Sequence, residues 1–122
     1  MKHFKKDIGT LGENIAEDYL LKNGYKILCK NFYCKIGEID LICQYEDIIC
    51  IIEVKSRYNT KFGSPSESIN YRKQKKIIKS SQYYLLKNGL TKSNVRFDVI
   101  EVLLNYKNTC FRINHIKNAF IT

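Results

Sequence analysis

The run Ile48-Ile49-Cys50-Ile51-Ile52-Glu53-Val54-Lys55 constrains this chain more than any other segment. It is apolar and rich in β-branched residues, so it reads as a buried strand. It then carries a carboxylate and, two residues on, an amine. Charges inside a buried strand are costly unless paired or bound to a metal. An earlier segment, Gly37-Glu38-Ile39-Asp40-Leu41-Ile42, places Asp40 inside another apolar run. Tyr45-Glu46-Asp47 reads as a tight polar turn between the two. An Asp on one strand and Glu-x-Lys on the next is the pattern of a metal-dependent phosphodiesterase site.

The remaining segments supply the frame for these two strands. Residues 7–23 read as a helix, with Ile8, Leu11, Ile15, Ala16, Tyr19 and Leu20 at helical spacing and Gly24 as a stop. Residues 25–34 read as a strand of imperfect alternation, followed by strands 38–44 and 48–57, a three-stranded meander. The stretch from Tyr58 to Ser64 reads as a loop. Ser64-Pro65-Ser66-Glu67 has the form of a capping box with proline at the first helical position. Asn70 is a second candidate cap, opening a helix over 71–88 that Gly89 ends. Ile77, Ile78, Ser81, Tyr84 and Leu85 line one side of that helix. Strand 95–104 follows, with Val95, Phe97, Val99 and Glu101 on one face, and a last strand covers about 109–116. The order is α-β-β-β-α-β-β, an α/β mixed sheet with helices packed against it. At 122 residues, without repeat, low-complexity segment or linker, the chain reads as one domain over 1–122.

Composition narrows the partners. The net charge is +9 and 27% of residues are charged, which favours a polyanion such as nucleic acid. Lys far outnumbers Arg, and Ile and Asn are abundant, as in proteins of AT-rich genomes, so part of the Lys excess has a plain origin. No apolar stretch reaches membrane-span length. The basic N-terminus has no h-region after it, so no signal peptide is expected and the cytoplasm is the default location. The five cysteines are Cys29, Cys34, Cys43, Cys50 and Cys110. They form no Cys-x-x-Cys, and neither a zinc ribbon nor a redox motif is indicated. Cys43 and Cys50 read as small core residues.

Glu53 and Lys55, two apart on a strand, project from one face, and Val54 points the other way. Asp40, on the neighbouring strand, can reach that face. Two carboxylates and the Val54 backbone carbonyl suit Mg²⁺ (or Mn²⁺), which takes hard oxygen ligands and keeps several waters. Such an ion polarises a phosphodiester and stabilises charge on the leaving oxygen. Lys55 would orient or help deprotonate the attacking water, or stabilise the pentavalent transition state. Glu13 follows Gly12, where the first helix can approach the sheet closely, and would complete the metal site. Each piece alone has an ordinary reading. Glu-x-Lys is commonly a solvated edge-strand pair, Asp40 a cap or bridge, Glu13 a solvent-facing helix residue. Their placement in apolar strands is what favours the chemistry.

Gly12-Glu13, Gly24-Tyr25, Asn31-Phe32, Gly37-Glu38-Ile39-Asp40-Leu41-Ile42, Glu53-Val54-Lys55-Ser56-Arg57, Phe62-Gly63, Lys73, Arg96-Phe97-Asp98-Val99 and Asn118-Ala119-Phe120 together resemble the bacterial YraN-like (UPF0102) family. The likeness runs nearly end to end. That family is similar to restriction-endonuclease-like nucleases of the PD-(D/E)xK type, and among them to archaeal Holliday-junction resolvases. The resemblance implies a restriction-endonuclease-like domain with Asp40, Glu53 and Lys55 as core site and Glu13 as the helix carboxylate. It further implies action on DNA, including branched or junction DNA of repair or recombination. Two departures are mild. Ser56 stands where Thr is frequent, and Ile39 stands where the superfamily name has Pro.

The nearby residues divide between two readings each. Arg57 grips a phosphate or pairs with a local acid. Lys73 approaches the active face or is solvated. Lys75, Lys76 and Lys79 form a solvated face able to track a nucleic-acid backbone. Tyr83 and Tyr84 would stack on unpaired bases, although Tyr84 fits the core stripe better. Tyr58 and Phe62 pack over the sheet or wedge into a branch point. Glu38 is a spare ligand or a strand-start residue. Asp98 reads as an internal ion pair or turn contact, and His3 and His115 have no partner pattern. The expected function is a Mg²⁺-dependent endonuclease, the alternative a nucleic-acid-binding module of nuclease fold without significant turnover. A scaffold binding a protein partner is a third reading, and a homodimer is compatible with two-strand cleavage.

Overall fold

The computed structural model describes residues 4–58, 69–105, 107 and 110–120. Within them the chain runs α1 (Phe4–Lys22), β1 (Lys26–Tyr33), β2 (Glu38–Tyr45), β3 (Ile48–Tyr58), α2 (Tyr71–Lys87), β4 (Asn94–Leu104) and β5 (Phe111–Phe120). The five strands form one sheet in the order β1-β2-β3-β4-β5. Pairing is antiparallel except between β3 and β4, which are parallel. The α2 crossover is what a parallel pair requires, since a tight turn cannot join the end of one such strand to the start of the next.

β3 is central, and its continuous apolar run follows from burial on both faces. Ile49 and Ile51 pack with Ile77, Tyr84 and Leu85 of α2. Cys50 and Ile52 pack with Ala16 and Leu20 of α1. Each helix therefore covers one face, and Cys43 and Cys50 are fully buried, as small core residues should be. The α1 stripe read from the sequence is complete, with Ile8, Leu11, Ile15 and Tyr19 flanking Ala16 and Leu20. Gly24 takes a φ of +88° just after α1, a conformation that ends a helix at little cost only for glycine. At the other helix Asn70 is the cap, its side chain accepting from the Lys73 N–H at 2.9 Å. The capping box over 64–67, and all of the expected loop except Tyr58, lie outside the described residues.

Two strands differ from their expected form. In β1 the register shifts between Ile27 and Cys29. Ile27 then packs on the α1 side while Leu28 and Cys29 pack on the α2 side, which is why the alternation looked imperfect. β5 starts and ends later than the expected 109–116. Asn105 and Cys110 close a turn, with the Asn105 N–H donating to the Cys110 carbonyl at 3.2 Å. At the far end polar Lys117-Asn118 hid the continuation. Asn118 has a φ of +56°, and an irregularity between Phe97 and Val99 lets Phe120 pair with Phe97. Such a bulge breaks the period-two pattern on which strand reading depends.

Candidate functional site

The site forms where β2 and β3 part. Their ladder runs from Tyr45↔Ile48 to Leu41↔Ile52 and stops there, whereas β3 continues along β4 to Tyr58. Beyond the last pair, the Val54 N–H donates to Asp40 Oδ2 at 2.8 Å. A side-chain carboxylate thus replaces a backbone carbonyl as partner, fixing Asp40 against β3. β2 also breaks alternation here. Ile39 packs with Ile42 on the α2 side, not with Leu41 and Cys43.

Glu53 is buried at 8% exposure. Its Oε2 lies 2.6 Å from Lys73 Nζ of α2. Asp40 and Glu53 stand close enough to contest a proton. Burial, then the negative charge of Glu53, pushes the Asp40 carboxyl up to about 7, against the Val54 N–H and Lys73. Burial alone would lower Lys73, but its hydrogen bond to Glu53 and the charges of Glu53, Asp40 and Glu38 outweigh that and raise it. Glu13 joins the same field from α1. Its carboxyl is raised by partial burial and then by Asp40 and Glu38, with Lys30 opposing. What lets α1 come so near is Gly12. A Cβ built there would lie 1.6 Å from Ser56 Oγ and 2.7 Å from Ser56 Cβ, so only glycine fits this helix–strand contact.

The other basic residues singled out in the sequence lie on β3 and α2. Lys55 is half-buried and stands opposite Glu101 in the β3–β4 register. Arg57 takes the local-acid reading, with its Nη2 3.5 Å from Glu101 Oε2. Glu101 also accepts from Asn114 Nδ2 at 3.1 Å. Lys73 faces the carboxylates directly, and Lys76 is exposed beside the β1–β2 turn at Gly37. Of the tyrosines, Tyr84 is core while Tyr83 is 47% exposed.

A second polar cluster lies across the sheet, on the α1 side. Asp98 accepts from Arg96 Nε at 2.9 Å and Arg96 Nη2 at 2.8 Å. It also takes the Asn118 N–H at 3.0 Å and lies 2.8 Å from His115 Nε2. Burial would raise the Asp98 carboxyl, but hydrogen bonds from His115, Arg96 and Asn118 win and hold it down. An ionised Asp98 only accepts, so Nε2–H of His115 donates to it. On the other side of the ring, Nδ1 and the Tyr19 hydroxyl lie 2.8 Å apart in a hydrogen bond. Arg96 reaches on to Tyr25 Oη at 2.8 Å. The Arg96-x-Asp98 spacing announced the ion pair. No local pattern could have announced His115, whose partner Tyr19 is 96 residues away.

Among the described residues no three His, Cys, Asp or Glu side chains gather as a metal cage. The donors brought together at the strand fork are the carboxylates of Asp40 and Glu53, both hard oxygen. Mg²⁺ is commonly held by one or two carboxylates with waters completing its shell, so this donor set fits Mg²⁺ or Mn²⁺. Burial first and the Glu53 charge second oppose ionisation of Asp40, and a bound cation would favour the ionised form.

Comparison with known proteins agrees with the chain's own motifs. The model of a family described as "Uncharacterised protein family UPF0102" matches residues 12–102. A UPF0102 protein of Clostridium botulinum (strain Alaska E43 / Type E3) is 55% identical over 122 residues, covering 100% of both chains. UPF0102 proteins of Clostridium beijerinckii and Clostridium tetani are 52% and 51% identical, each over 120 residues and 98% of both chains.

Proposed function

The chain belongs to the UPF0102 family, and on that premise we propose that it is a Mg²⁺- or Mn²⁺-dependent endonuclease-like enzyme hydrolysing phosphodiester bonds in DNA. One observation carries the reading. Asp40 and Glu53 are drawn together at the fork of β2 and β3, where Asp40's carboxyl is pushed up to about 7. Two neighbouring carboxylates at a buried fork are costly beyond what Lys73 offsets at Glu53, and a bound cation would relieve that cost.

Asp40, Glu53 and the Val54 carbonyl would hold the ion. When bound, it supplies Lewis-acid polarisation of the phosphodiester and a more acidic water. The protein's own groups do the rest. The Val54 N–H aims the Asp40 carboxylate. Lys55, on the same strand face as Glu53, orients the attacking water and offsets the charge that grows on the phosphorane oxygens. Glu13 adds negative potential from α1, which strengthens cation attraction without being a third close ligand. The likeness to restriction-endonuclease-like nucleases and junction resolvases supports branched DNA as substrate.

The binding-module reading has one observation in its favour. The Lys73 ammonium already sits 2.6 Å from Glu53 and serves as a built-in counter-cation. The two readings separate in one assay. Purified protein is given labelled duplex, single-stranded, flap and four-way-junction DNA, and RNA, with Mg²⁺ or Mn²⁺. The nuclease reading expects cutting by wild type and none by Asp40→Asn. Salt-sensitive binding with no cutting of any substrate would transfer the case to the binding module.

A further inference from the structure

The β1–β2 turn touches α2 at Gly37, where a Cβ would lie 3.5 Å from Ser80 Oγ and 3.8 Å from Lys76 Cβ. A groove opens on each side of this contact. The first, of about 320 Å³, is bordered by Ile36, Glu38, Arg72, Lys73 and Lys76. The second, of about 470 Å³, is bordered by Tyr33, Lys35, Ile36, Tyr83 and Lys87. Ile36 borders both, so they meet. One end of this track is Lys73, the residue that holds Glu53. The other is Lys87, at the last turn of α2. At 1.5 Å per residue the distance along the helix is about 21 Å.

Two properties of the track point to one occupant. α2 carries Arg72, Lys73, Lys75, Lys76, Lys79 and Lys87 and no acidic residue, which fits a polyanionic backbone. Between the cations lie open apolar faces, with Tyr33 at 68%, Tyr83 at 47% and Ile36 at 41% exposure. The Tyr83 ring has Phe32 as a neighbour, 6.2 Å between centroids and tilted by 37°, which leaves its outer face open. Paired bases in a duplex offer no free faces to such rings, whereas an unpaired strand does. A basic groove interleaved with aromatic platforms is the recurring design for single strands.

We propose that this track binds a single-stranded arm of a nucleic-acid substrate, about four nucleotides long, and leads it to the Asp40–Glu53 pair. The proposal deepens the nuclease reading by naming its substrate class, DNA with a flap or splayed arm. Tyr83 and Tyr33 stack on bases, and Arg72, Lys76 and Lys87 run beside phosphates. The arm's recognition does not need the metal.

The test is fluorescence anisotropy of labelled duplexes in EDTA, blunt or carrying a four-nucleotide single-stranded arm. Wild type should bind the armed duplex about a hundredfold more tightly, the size of two base–aromatic stacks. Tyr83→Ala and, separately, Tyr33→Ala should each lose about tenfold of that advantage with blunt-duplex affinity unchanged. Tyr83→Phe should keep it. An arm of abasic sites keeps its phosphates but offers no bases, so wild type should lose most of the advantage on it. Equal affinity for armed and blunt DNA, or full retention with the abasic arm, overturns the track. Parallel cleavage in Mg²⁺ keeps the two readings apart. Cutting without arm preference rejects the track alone, and arm preference without cutting supports the track and rejects the nuclease reading alone.

Discussion

Single residues set the chemistry and its pH dependence. Folded Asp40 keeps its proton up to about 7, whereas an unfolded Asp releases it near about 4. Between those values the folded state binds more protons than the unfolded chain, so metal-free stability falls as pH rises across that window. Asp40→Asn should flatten the fall, seen as a smaller loss of melting temperature between pH 5 and pH 8. Metal binding needs the ionised form, so Mg²⁺ affinity should rise with pH through about 7 and release a proton at pH 6. Calorimetry in buffers of different ionisation enthalpy reads that proton. Asp98 has the opposite sign. Its carboxyl is held low, so its contribution is full above about 4 and is lost as pH falls below it. Asp98→Ala leaves half-buried Arg96 and the buried His115 ring without their acceptor, and denaturant unfolding should show a loss of about 1–3 kcal/mol. Lys73→Met removes the ammonium from Glu53 and should leave Mg²⁺ binding intact or tighter, read by calorimetry. The carboxylates were legible because each interrupts an apolar run. Their arrangement was not, since the sequence does not say that the Val54 N–H turns to Asp40 or that Lys73 closes on Glu53.

At the scale of elements, the fold rests on how closely α1 meets β3. Gly12→Ala should cost about 1–3 kcal/mol through overpacking against Ser56, more than the roughly 1 kcal/mol that helix propensity gives back. In a Ser56→Gly background both clashing atoms are gone, so the same change should be nearly neutral or stabilising. That non-additivity, measured by a double-mutant cycle in urea, is the signature of direct contact. Gly12 was legible as a close-approach position, but its partner was not, because the crossing of helix and strand is a tertiary fact. α1, α2, β2 and β3 were plain in the sequence, where hydrophobic period and Gly24 or Asn70 agreed. β1 and β5 blurred where a register shift at Ile27/Cys29 and a left-handed Asn118 put consecutive residues out of phase.

For the whole molecule, the sheet's order explains why the site lies where it does. β3 is paired along its length to β4, but to β2 only as far as Ile52. The fork between them admits carboxylates to a place otherwise lined by core, and α1 and α2 bring Glu13 and Lys73 to it. A net charge of +9 favours a polyanionic partner, and the proposed DNA binding should weaken as salt rises. None of the described helices is long and apolar enough to cross a membrane. Charge and element order were legible from composition and periodicity. The fork was not, because ladder length depends on the twist between strands.

The most direct measurement pairs Mg²⁺ binding with cleavage for wild type and Lys55→Ala. Lys55 is no metal ligand in this account, so the variant should fold and bind Mg²⁺ within about twofold of wild type. Its cutting should fall by about a hundredfold or more, the loss typical of removing one transition-state donor. If Lys55→Ala cut as fast as wild type at equal purity, the assignment of the Asp40–Glu53–Lys55 constellation as a phosphodiesterase site would be contradicted.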